Sequence, residues 1–421
     1  MSTSTRSPAL APFQVRSFRF QWPSDLAASW AFEMETLILG WYVLVETGSV
    51  LLLTLFASLQ YIGTLLSPLF GVAGHRLGNK RVFCAMRATY ALLASVLMVL
   101  AFTEALRPLH VFIITALMGL VRPSDLVLRH ALIGETLPIG QFVGAASISR
   151  TTQDSARVMG ALTGAGLVAA LGIGPAYAVV AVFYALSLSL TLGVAGPHRA
   201  AHDTAAAGAP AQPSSAWHDL KEGLAYVWRT PPLLAAIYLA LLVNLTAFPL
   251  VNGLLPYVAK EIYGTDQTGL GYLVAGFAGG ALLGSIVLTR FGHAIRPARM
   301  MIIGCVFWFV LTTLFAQMHS LAGGLPLLLL AGLAQSLGMV PMSAMLLRSS
   351  EERFRGRVMG IRMLVIYTLP IGLLASGPLI EHFGFRAMAS AYCLIGLAFT
   401  LLIAVRWRDH VWRSGAPANS R

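Results

Sequence analysis

Long apolar segments recur along this chain almost without pause, and they constrain its fold more than any other feature. A helix needs about 20 apolar residues to cross a bilayer, and twelve segments of this kind can be placed. The chain is 57% apolar and 11% charged, whereas soluble domains are about a quarter charged. The sequence therefore predicts an all-α integral membrane protein with twelve transmembrane helices. We place these spans at 22–45, 50–73, 83–103, 109–128, 143–171, 174–195, 232–258, 268–289, 299–318, 323–347, 358–380 and 386–406.

The basic residues predict the orientation of these helices. Most of the 29 Lys and Arg residues fall in the amino terminus, in alternate loops and in the carboxyl tail. Because cytoplasmic loops carry an excess of positive charge, we expect both termini in the cytoplasm. The net charge of +12 is spread over short loops beside helices, so nucleic-acid binding is not expected. Residues 1–20 lack the apolar core of a cleavable signal peptide, and we expect the first span to be an uncleaved anchor.

The sequence carries no motif for catalysis or for a cofactor. Cys84, Cys305 and Cys393 lie far apart inside predicted helices and offer no metal-ligand spacing. We find no metal-binding pair of histidines, no nucleophile elbow and no phosphate-binding loop. Neither an enzymatic activity nor a bound cofactor or metal is therefore expected.

One long hydrophilic stretch divides the chain. Residues 200–216 are rich in Ala, Pro and Ser and predict a flexible linker. Apolar residues on one helical face then predict an interfacial helix; they are Trp217, Leu220, Leu224, Val227 and Trp228. The predicted organisation is a cytoplasmic amino terminus at 1–21, a six-helix half at 22–195, a cytoplasmic linker with an amphipathic helix at 196–231, a second six-helix half at 232–406 and a cytoplasmic tail at 407–421.

The two halves carry matching residues at a nearly constant separation. A shift of 212 residues aligns Arg150 with Arg362, Gly160 with Gly372 and Gly172 with Gly384, and a shift of 214 aligns Arg76 with Arg290 and Gly78 with Gly292. Agreement of two separate regions within two residues indicates a duplicated six-helix unit.

The loop after the second span carries a motif of glycines and basic residues. It comprises Gly71, His75, Arg76, Gly78, Lys80 and Arg81. This motif resembles the signature of the major facilitator superfamily, in which an acid–arginine pair helps to latch the cytoplasmic ends of two halves together. His75 stands where the acid is usual, which leaves the latch partner of Arg76 open; a basic loop set by topology alone is the alternative. The resemblance implies two parallel six-helix halves with a substrate site between them near the midplane.

Further segments resemble the branch of that superfamily that includes bacterial enterobactin exporters and drug-efflux proteins. They are Phe18 to Phe20 with Trp22, Thr47 to Ser49, Ala131 to Ile133 with Glu135 and Pro138, and Gly223 to Pro231. The resemblance implies export of a siderophore or drug across a bacterial inner membrane. A glycine-rich fifth span is common in such exporters, although close helix packing explains it equally well. A fold does not fix a substrate.

Ionisable residues inside the predicted spans are the candidate functional groups, since they are costly at bilayer depth. Glu33 lies eleven residues into the first span, about 16 Å along a helix, and Asp154 reaches a similar depth. Glu35 is about 200° around the helix from Glu33, so the two cannot face one cavity. A buried carboxylate can take up a proton, whereas pairing with Arg122 or Arg157 would oppose this.

Two spans place charges on single stripes. Arg150, Asp154 and Arg157 are spaced by four and three, so Asp154 can meet either arginine. Span four repeats this spacing with Arg122, Asp125 and Arg129, and Pro123 predicts a kink there. These pairs either line a site or hold helices in register.

Other candidates are aromatic or polar side chains at depth. Trp30 shares a helical face with Glu33, Leu37 and Trp41, which favours an amphipathic ligand. The carboxyl half has Arg362, Asn244, Gln335 and Tyr367 and is otherwise expected to supply an apolar wall.

These features lead to a proton-driven antiporter that exports a small amphipathic or anionic molecule as the preferred hypothesis, with small-molecule substrate, protons and the bilayer as partners. Protonation of Glu33 or Asp154 on the outer side would promote release of the substrate. Uptake or facilitated transport of an organic anion held by Arg122, Arg150 or Arg157 is the alternative. A receptor or sensor that retains the fold without transport is the alternative from another class.

Overall fold

The computed structural model describes residues 8–66, 70, 73–74, 76–138, 141–194, 216–291 and 296–408. These residues are almost entirely helical and contain no β-strand. The chain divides into two compact units, Met1–Ala211 with Thr265–Ala275, and Gln212–Gly264 with Gly276–Arg421. We call them the amino-terminal unit and the carboxyl-terminal unit.

Seven α-helices lie in the described part of the amino-terminal unit. They are α1 (Arg16–Thr47), α2 (Val50–Leu59), α3 (Asn79–Phe102), α4 (Pro108–Val121), α5 (Asp125–Thr136), α6 (Phe142–Leu171) and α7 (Ile173–Leu192). Turns of 3₁₀-helix occur at Pro8–Gln14, Ile62–Leu66 and Arg122–Ser124. The last of these joins α4 to α5 at Pro123, where the missing N–H breaks the α-helical ladder, as the sequence predicts.

The carboxyl-terminal unit continues with seven α-helices in its described residues. They are α8 (Ala216–Arg229), α9 (Pro231–Thr246), α10 (Gln267–Phe291), α11 (Pro297–Ala316), α12 (Leu321–Arg348), α13 (Arg355–Val365) and α14 (Thr368–Arg406), of which α10 begins among residues grouped with the amino-terminal unit. Short helical turns follow α9 at Phe248–Asn252, Leu255–Tyr257 and Val258–Ile262, and another precedes α13 at Glu352–Phe354. Proline at the first position starts α9 and α11, where its missing N–H costs nothing.

Length and composition alone qualify seven described helices as membrane spans, or eight if the bent pair α8 and α9 is one span. Each of the twelve predicted spans nevertheless has a helical counterpart. The helices that do not meet these criteria of length and apolar composition are interrupted, as at the end of α2, or carry charges, as α1 and α6 do. α1 begins at Arg16, six residues before the predicted span. Residues 16–21 therefore belong to the same helix.

Matching glycines confirm that the two units repeat one construction. Gly172 and Gly384 share an unusual backbone conformation, with φ and ψ of 83° and 179° in the first and 79° and 160° in the second. A Cβ on Gly160 would lie 2.7 Å from the Glu33 Cβ. A Cβ on Gly372 would meet the backbone carbonyl of Leu245, and the same shift of 212 relates Glu33 to Leu245.

Replacing Gly172 or Gly384 is expected to destabilise the protein. The Gly172 and Gly384 conformation is one that only glycine adopts readily, so Gly172→Ala and Gly384→Ala should each cost about 1–3 kcal/mol. Titration of the purified protein with a denaturing detergent measures this. Gly166→Ala is the matched control, because a Cβ there meets nothing within 4 Å. Equal stability of all three variants would contradict the conclusion that the backbone at Gly172 and Gly384 requires glycine.

Candidate functional site

Four charged side chains from three helices, all but Asp125 buried, form a closed ring in the amino-terminal unit. Arg87 of α3 places Nη2 3.0 Å from Asp25 Oδ1 of α1 and Nη1 3.1 Å from Asp125 Oδ1 of α5. Arg129 lies one turn after Asp125 on α5. It places Nη2 2.8 Å from Asp125 Oδ2 and Nε 3.4 Å from Asp25 Oδ1. Two carboxylates and two guanidinium groups cancel, so this charge ring is neutral. It ties α1, α3 and α5 together.

Glu35 lies in a second buried network, together with a cation and two phenols. Arg122 Nη2 is 2.8 Å from Glu35 Oε2, and the Tyr184 hydroxyl donates to the same oxygen at 2.9 Å. The Tyr177 hydroxyl donates to Oε1, also at 2.9 Å. The Arg122 guanidinium stacks over the Phe32 ring at 3.5 Å. Both oxygens of Glu35 are therefore occupied, and its side chain is 3% exposed.

A cavity of about 200 Å³ lies between these two networks. It combines aromatic, aliphatic, charged and amide groups. Its lining comprises Ala28, Ser29, Phe32, Glu33, Arg87, Tyr90, Arg122, Asp125, Leu126, Arg129, Gln153 and Tyr184.

Glu33 is the carboxylate of this cavity with the weakest ion pair. Its Oε2 is 4.0 Å from Arg157 Nε, and its side chain is 19% exposed. Asp125, the other carboxylate in the lining, is held by two arginines in the charge ring. Glu33 therefore meets the cavity while Glu35 points elsewhere, as their angular separation predicts.

The predicted pairings are partly right. Arg150 Nε lies 3.2 Å from Asp154 Oδ2, as their spacing predicts, with the arginine 62% exposed. Arg157, the other arginine on this stripe, has its Nε 4.0 Å from Glu33 Oε2. Neither Arg150 nor Asp154 lines the cavity.

One further expectation for this unit is wrong. Arg122 pairs with Glu35 rather than with Asp125, because the 3₁₀ turn at Arg122–Ser124 rotates it off the stripe of α5. Trp30 is not among the residues that line this cavity. Its Nε1 donates to Thr163 Oγ1 at 2.8 Å, and its ring lies 5.5 Å from that of Phe183.

The candidates of the carboxyl half lie within the carboxyl-terminal unit. Asn244 on α9 is buried and donates to the carbonyl of Ala240 in its own helix at 2.8 Å. Gln335 on α12 is also buried, whereas Arg362 on α13 and Tyr367 before α14 are partly exposed.

The loop motif is only partly visible, because Gly71 and His75 lie outside the described residues. Arg76 and Arg81 are exposed, and Gly78 has a φ of 92° before α3. Lys80 Nζ donates to the Leu192 carbonyl at the end of α7 at 2.9 Å. Among the described carboxylates, none forms an ion pair with Arg76.

Sequence reasoning missed four members of the two networks: Asp25, Arg87, Tyr177 and Tyr184. Asp25 and Arg87 both fall inside predicted spans, so the cost of charge at depth could have singled them out. Tyr177 and Tyr184 are seven residues apart and therefore share a helical face, but nothing in the sequence shows that this face meets Glu35.

Breaking the charge ring is expected to cost far more stability than breaking the exposed pair. Asp25→Asn leaves Arg87 and Arg129 with one carboxylate between them, and an uncompensated buried charge costs about 3–5 kcal/mol. Arg150→Gln should cost at most about 1 kcal/mol, since exposed pairs contribute little. Denaturing-detergent titrations of both variants test this contrast, and equal losses would contradict it.

Comparison with known proteins identifies the fold. A sequence model of the Major Facilitator Superfamily matches residues 237–420. A bacterial homolog of the human lysosomal transporter Spinster, in an inward-facing and unoccupied conformation, has a similar structure with a TM-score of 0.73 and 12% identity. The match covers 95% of this chain and 99% of that one. The chain has the major facilitator fold.

Other solved structures agree with this assignment. The nucleoside transporter NupG matches with a TM-score of 0.68 and 14% identity, over 93% of this chain and 99% of its own. The D-xylose–proton symporter matches with a TM-score of 0.69 and 14% identity, over 91% and 96%. No curated protein matches the sequence. The predicted all-α, multi-pass major facilitator architecture is confirmed, and identities this low establish the fold but not the substrate.

Proposed function

We propose that this protein is a secondary transporter, a proton-coupled exporter of a small amphipathic molecule such as a siderophore or drug. Alternating access of the two six-helix halves would move the substrate across a bacterial inner membrane with both termini in the cytoplasm. The transport class is supported by the fold and by a family match that covers the carboxyl half. We also propose that the motif from Gly71 to Arg81 gates the cytoplasmic side.

The single observation that carries the proposal is the position of Glu33. It is a carboxylate at a mixed polar and aromatic cavity, and its cation is 4.0 Å away. We prefer Glu33 to Asp154 as the proton acceptor, because Asp154 has a closer cation and lies outside the cavity lining.

Charge balance around the cavity distinguishes the modes of coupling. The charge ring is neutral, Glu35 balances Arg122, and an ionised Glu33 balances Arg157. A substrate with a cationic or hydrogen-bond-donating group would compete with a proton for Glu33. Because Glu33 would bind either the substrate or a proton, a proton that arrives from the outer side would release the substrate to that side.

The lining supports an amphipathic substrate. Phe32, Tyr90 and Tyr184 supply ring surfaces, while Ser29 and Gln153 supply hydrogen-bonding groups. Ligand pockets usually enclose about 300–1,000 Å³. The cavity of about 200 Å³ therefore suits a small molecule or one end of a larger one.

The same charge balance supports a second candidate function, uptake of an organic anion. Protonation of Glu33 would raise the net charge at the cavity by one unit, because its carboxylate lines the cavity. An anion would then bind together with the proton and not in exchange for it. Arg122 and Arg157 would hold its carboxylate, and the proton and substrate would move in the same direction.

Proton flux in proteoliposomes tests both candidates. A thermal-shift screen of the purified protein against siderophores, dyes, antibiotics and organic acids first identifies a ligand, because a ligand stabilises the state that binds it. A pH-sensitive dye inside the vesicles then reports proton movement when that ligand is added. Countermovement supports the exporter, parallel movement supports anion uptake, and no substrate-dependent flux favours a receptor without transport.

A further inference from the structure

An apolar groove runs along the carboxyl-terminal unit between α9 and the last turns of α14. Its volume is about 570 Å³. Its lining comprises Tyr238, Leu241, Leu242, Leu245, Ile395, Phe399, Leu402, Ile403, Arg406 and Trp407. Phe399 and Leu402 are 53% and 58% exposed, so protein packing leaves much of this apolar wall uncovered.

One end of the groove differs from the rest in chemistry. Arg406 and Trp407 close this end, and the Arg406 guanidinium lies 5.8 Å from the Trp407 ring. The Tyr238 ring lies 6.1 Å from that of Trp407 and 6.5 Å from that of Trp228 on α8. Trp and Tyr in a row, next to arginine, are typical of the boundary between acyl chains and headgroups.

The path of α8 places the same end at a membrane surface. α8 and α9 meet at an angle of 109° across Thr230, so α8 runs along the surface if α9 crosses the bilayer. Leu224 and Trp228, one turn apart, are 52% and 64% exposed. A neighbouring side of α8 packs on α13, where a Cβ on Gly223 would lie 3.0 Å from the Arg357 Cβ. An exposed apolar stripe beside packed and charged faces is typical of an interfacial helix.

We propose that this groove binds an anionic phospholipid, with an acyl chain along α9 and α14 and the phosphate at Arg406. The apolar wall matches an acyl chain, and Arg406 is the only charged side chain among the ten described residues that line it. A zwitterionic lipid would meet the same wall, but its ammonium group would oppose Arg406. The headgroup charge is therefore the feature that the site recognises. This inference does not depend on the proposed transport activity.

Thermal unfolding of the full-length, lipid-depleted protein in detergent tests the site. Phosphatidylglycerol and phosphatidylcholine with identical acyl chains are titrated separately, and the concentration that gives half of the maximal rise in Tm is measured. We expect phosphatidylglycerol to act at several-fold lower concentration. Arg406→Gln should raise the half-maximal concentration of phosphatidylglycerol by about five-fold and leave that of phosphatidylcholine unchanged.

Two variants and one soluble probe make the result decisive. Arg348→Gln removes another exposed cation from the end of a helix, at the end of α12, and should leave the lipid preference intact. Leu402→Trp narrows the groove and should raise the half-maximal concentrations of both lipids. Both this variant and Arg406→Gln should match the wild-type Tm without lipid, since both side chains are exposed. Equal effects of the two lipids, an equal loss in Arg348→Gln, no effect of Leu402→Trp, or the same response to soluble glycerophosphoglycerol would each overturn the proposal.

Discussion

Glu33→Gln is expected to abolish proton-driven transport while leaving the protein folded. Glutamine keeps the size and hydrogen-bonding reach of the side chain but cannot take up a proton. Stability should change by at most about 1 kcal/mol, because the partner of Glu33 is 4.0 Å away and both side chains are partly exposed. Accumulation of substrate in proteoliposomes under an imposed pH gradient is the measurement.

Asp154→Asn is the matched control for this experiment. It removes a carboxylate from the same unit and leaves the cavity lining untouched, so proton-driven accumulation should persist. A Glu33→Gln protein that accumulates substrate with the wild-type pH profile would remove Glu33 from the mechanism. Loss of coupling in Asp154→Asn alone would move the proton site to α6.

Glu35→Gln is expected to act on stability instead, with a loss of about 3–5 kcal/mol. The substitution leaves Arg122 buried without its carboxylate and removes one strong acceptor from the hydroxyls of Tyr177 and Tyr184. Adding Arg122→Met should restore much of this loss, since methionine can pack on Phe32 without a charge that needs a partner. Transport should be lost in the double variant even though its stability is restored, because Arg122 belongs to the cavity lining.

A double-mutant cycle separates this explanation from simple misfolding. Glu35→Gln, Arg122→Met and their combination are compared by denaturing-detergent titration. Coupled residues give a combined effect well below the sum of the single effects. Additive losses would mean that Glu35 and Arg122 stabilise the protein independently, in conflict with the 2.8 Å ion pair.

The sequence predicts the helices of this protein better than their contacts. Apolar length locates each span, and a spacing of four predicts the pair of Arg150 with Asp154, because both facts are local to one helix. Pairing between helices depends on how each helix is rotated about its axis. A helix that is apolar on most sides leaves that rotation open. Asp25 and Arg87 therefore meet through packing of α1 against α3, which no local pattern specifies.

Arg122 shows the same limit within a single span. Regular helical spacing would place it above Asp125, but a 3₁₀ turn interrupts the helix at Pro123, where the sequence predicts a kink. The direction of the resulting 3₁₀ turn decides that Arg122 meets Glu35 of α1 instead. Proline predicts where a helix breaks but not where the side chains beside the break will point.

The crossing at Gly160 and Glu33 recurs at Gly372 and Leu245. Close approach at Glu33 and at Leu245 involves only the backbone or Cβ atoms of these two residues, so it places no demand on what either side chain carries beyond Cβ. One half can therefore hold a carboxylate where the other holds leucine, with the same helix geometry. Coupling through this position should then move a single proton per transport cycle, whatever the internal symmetry of the fold.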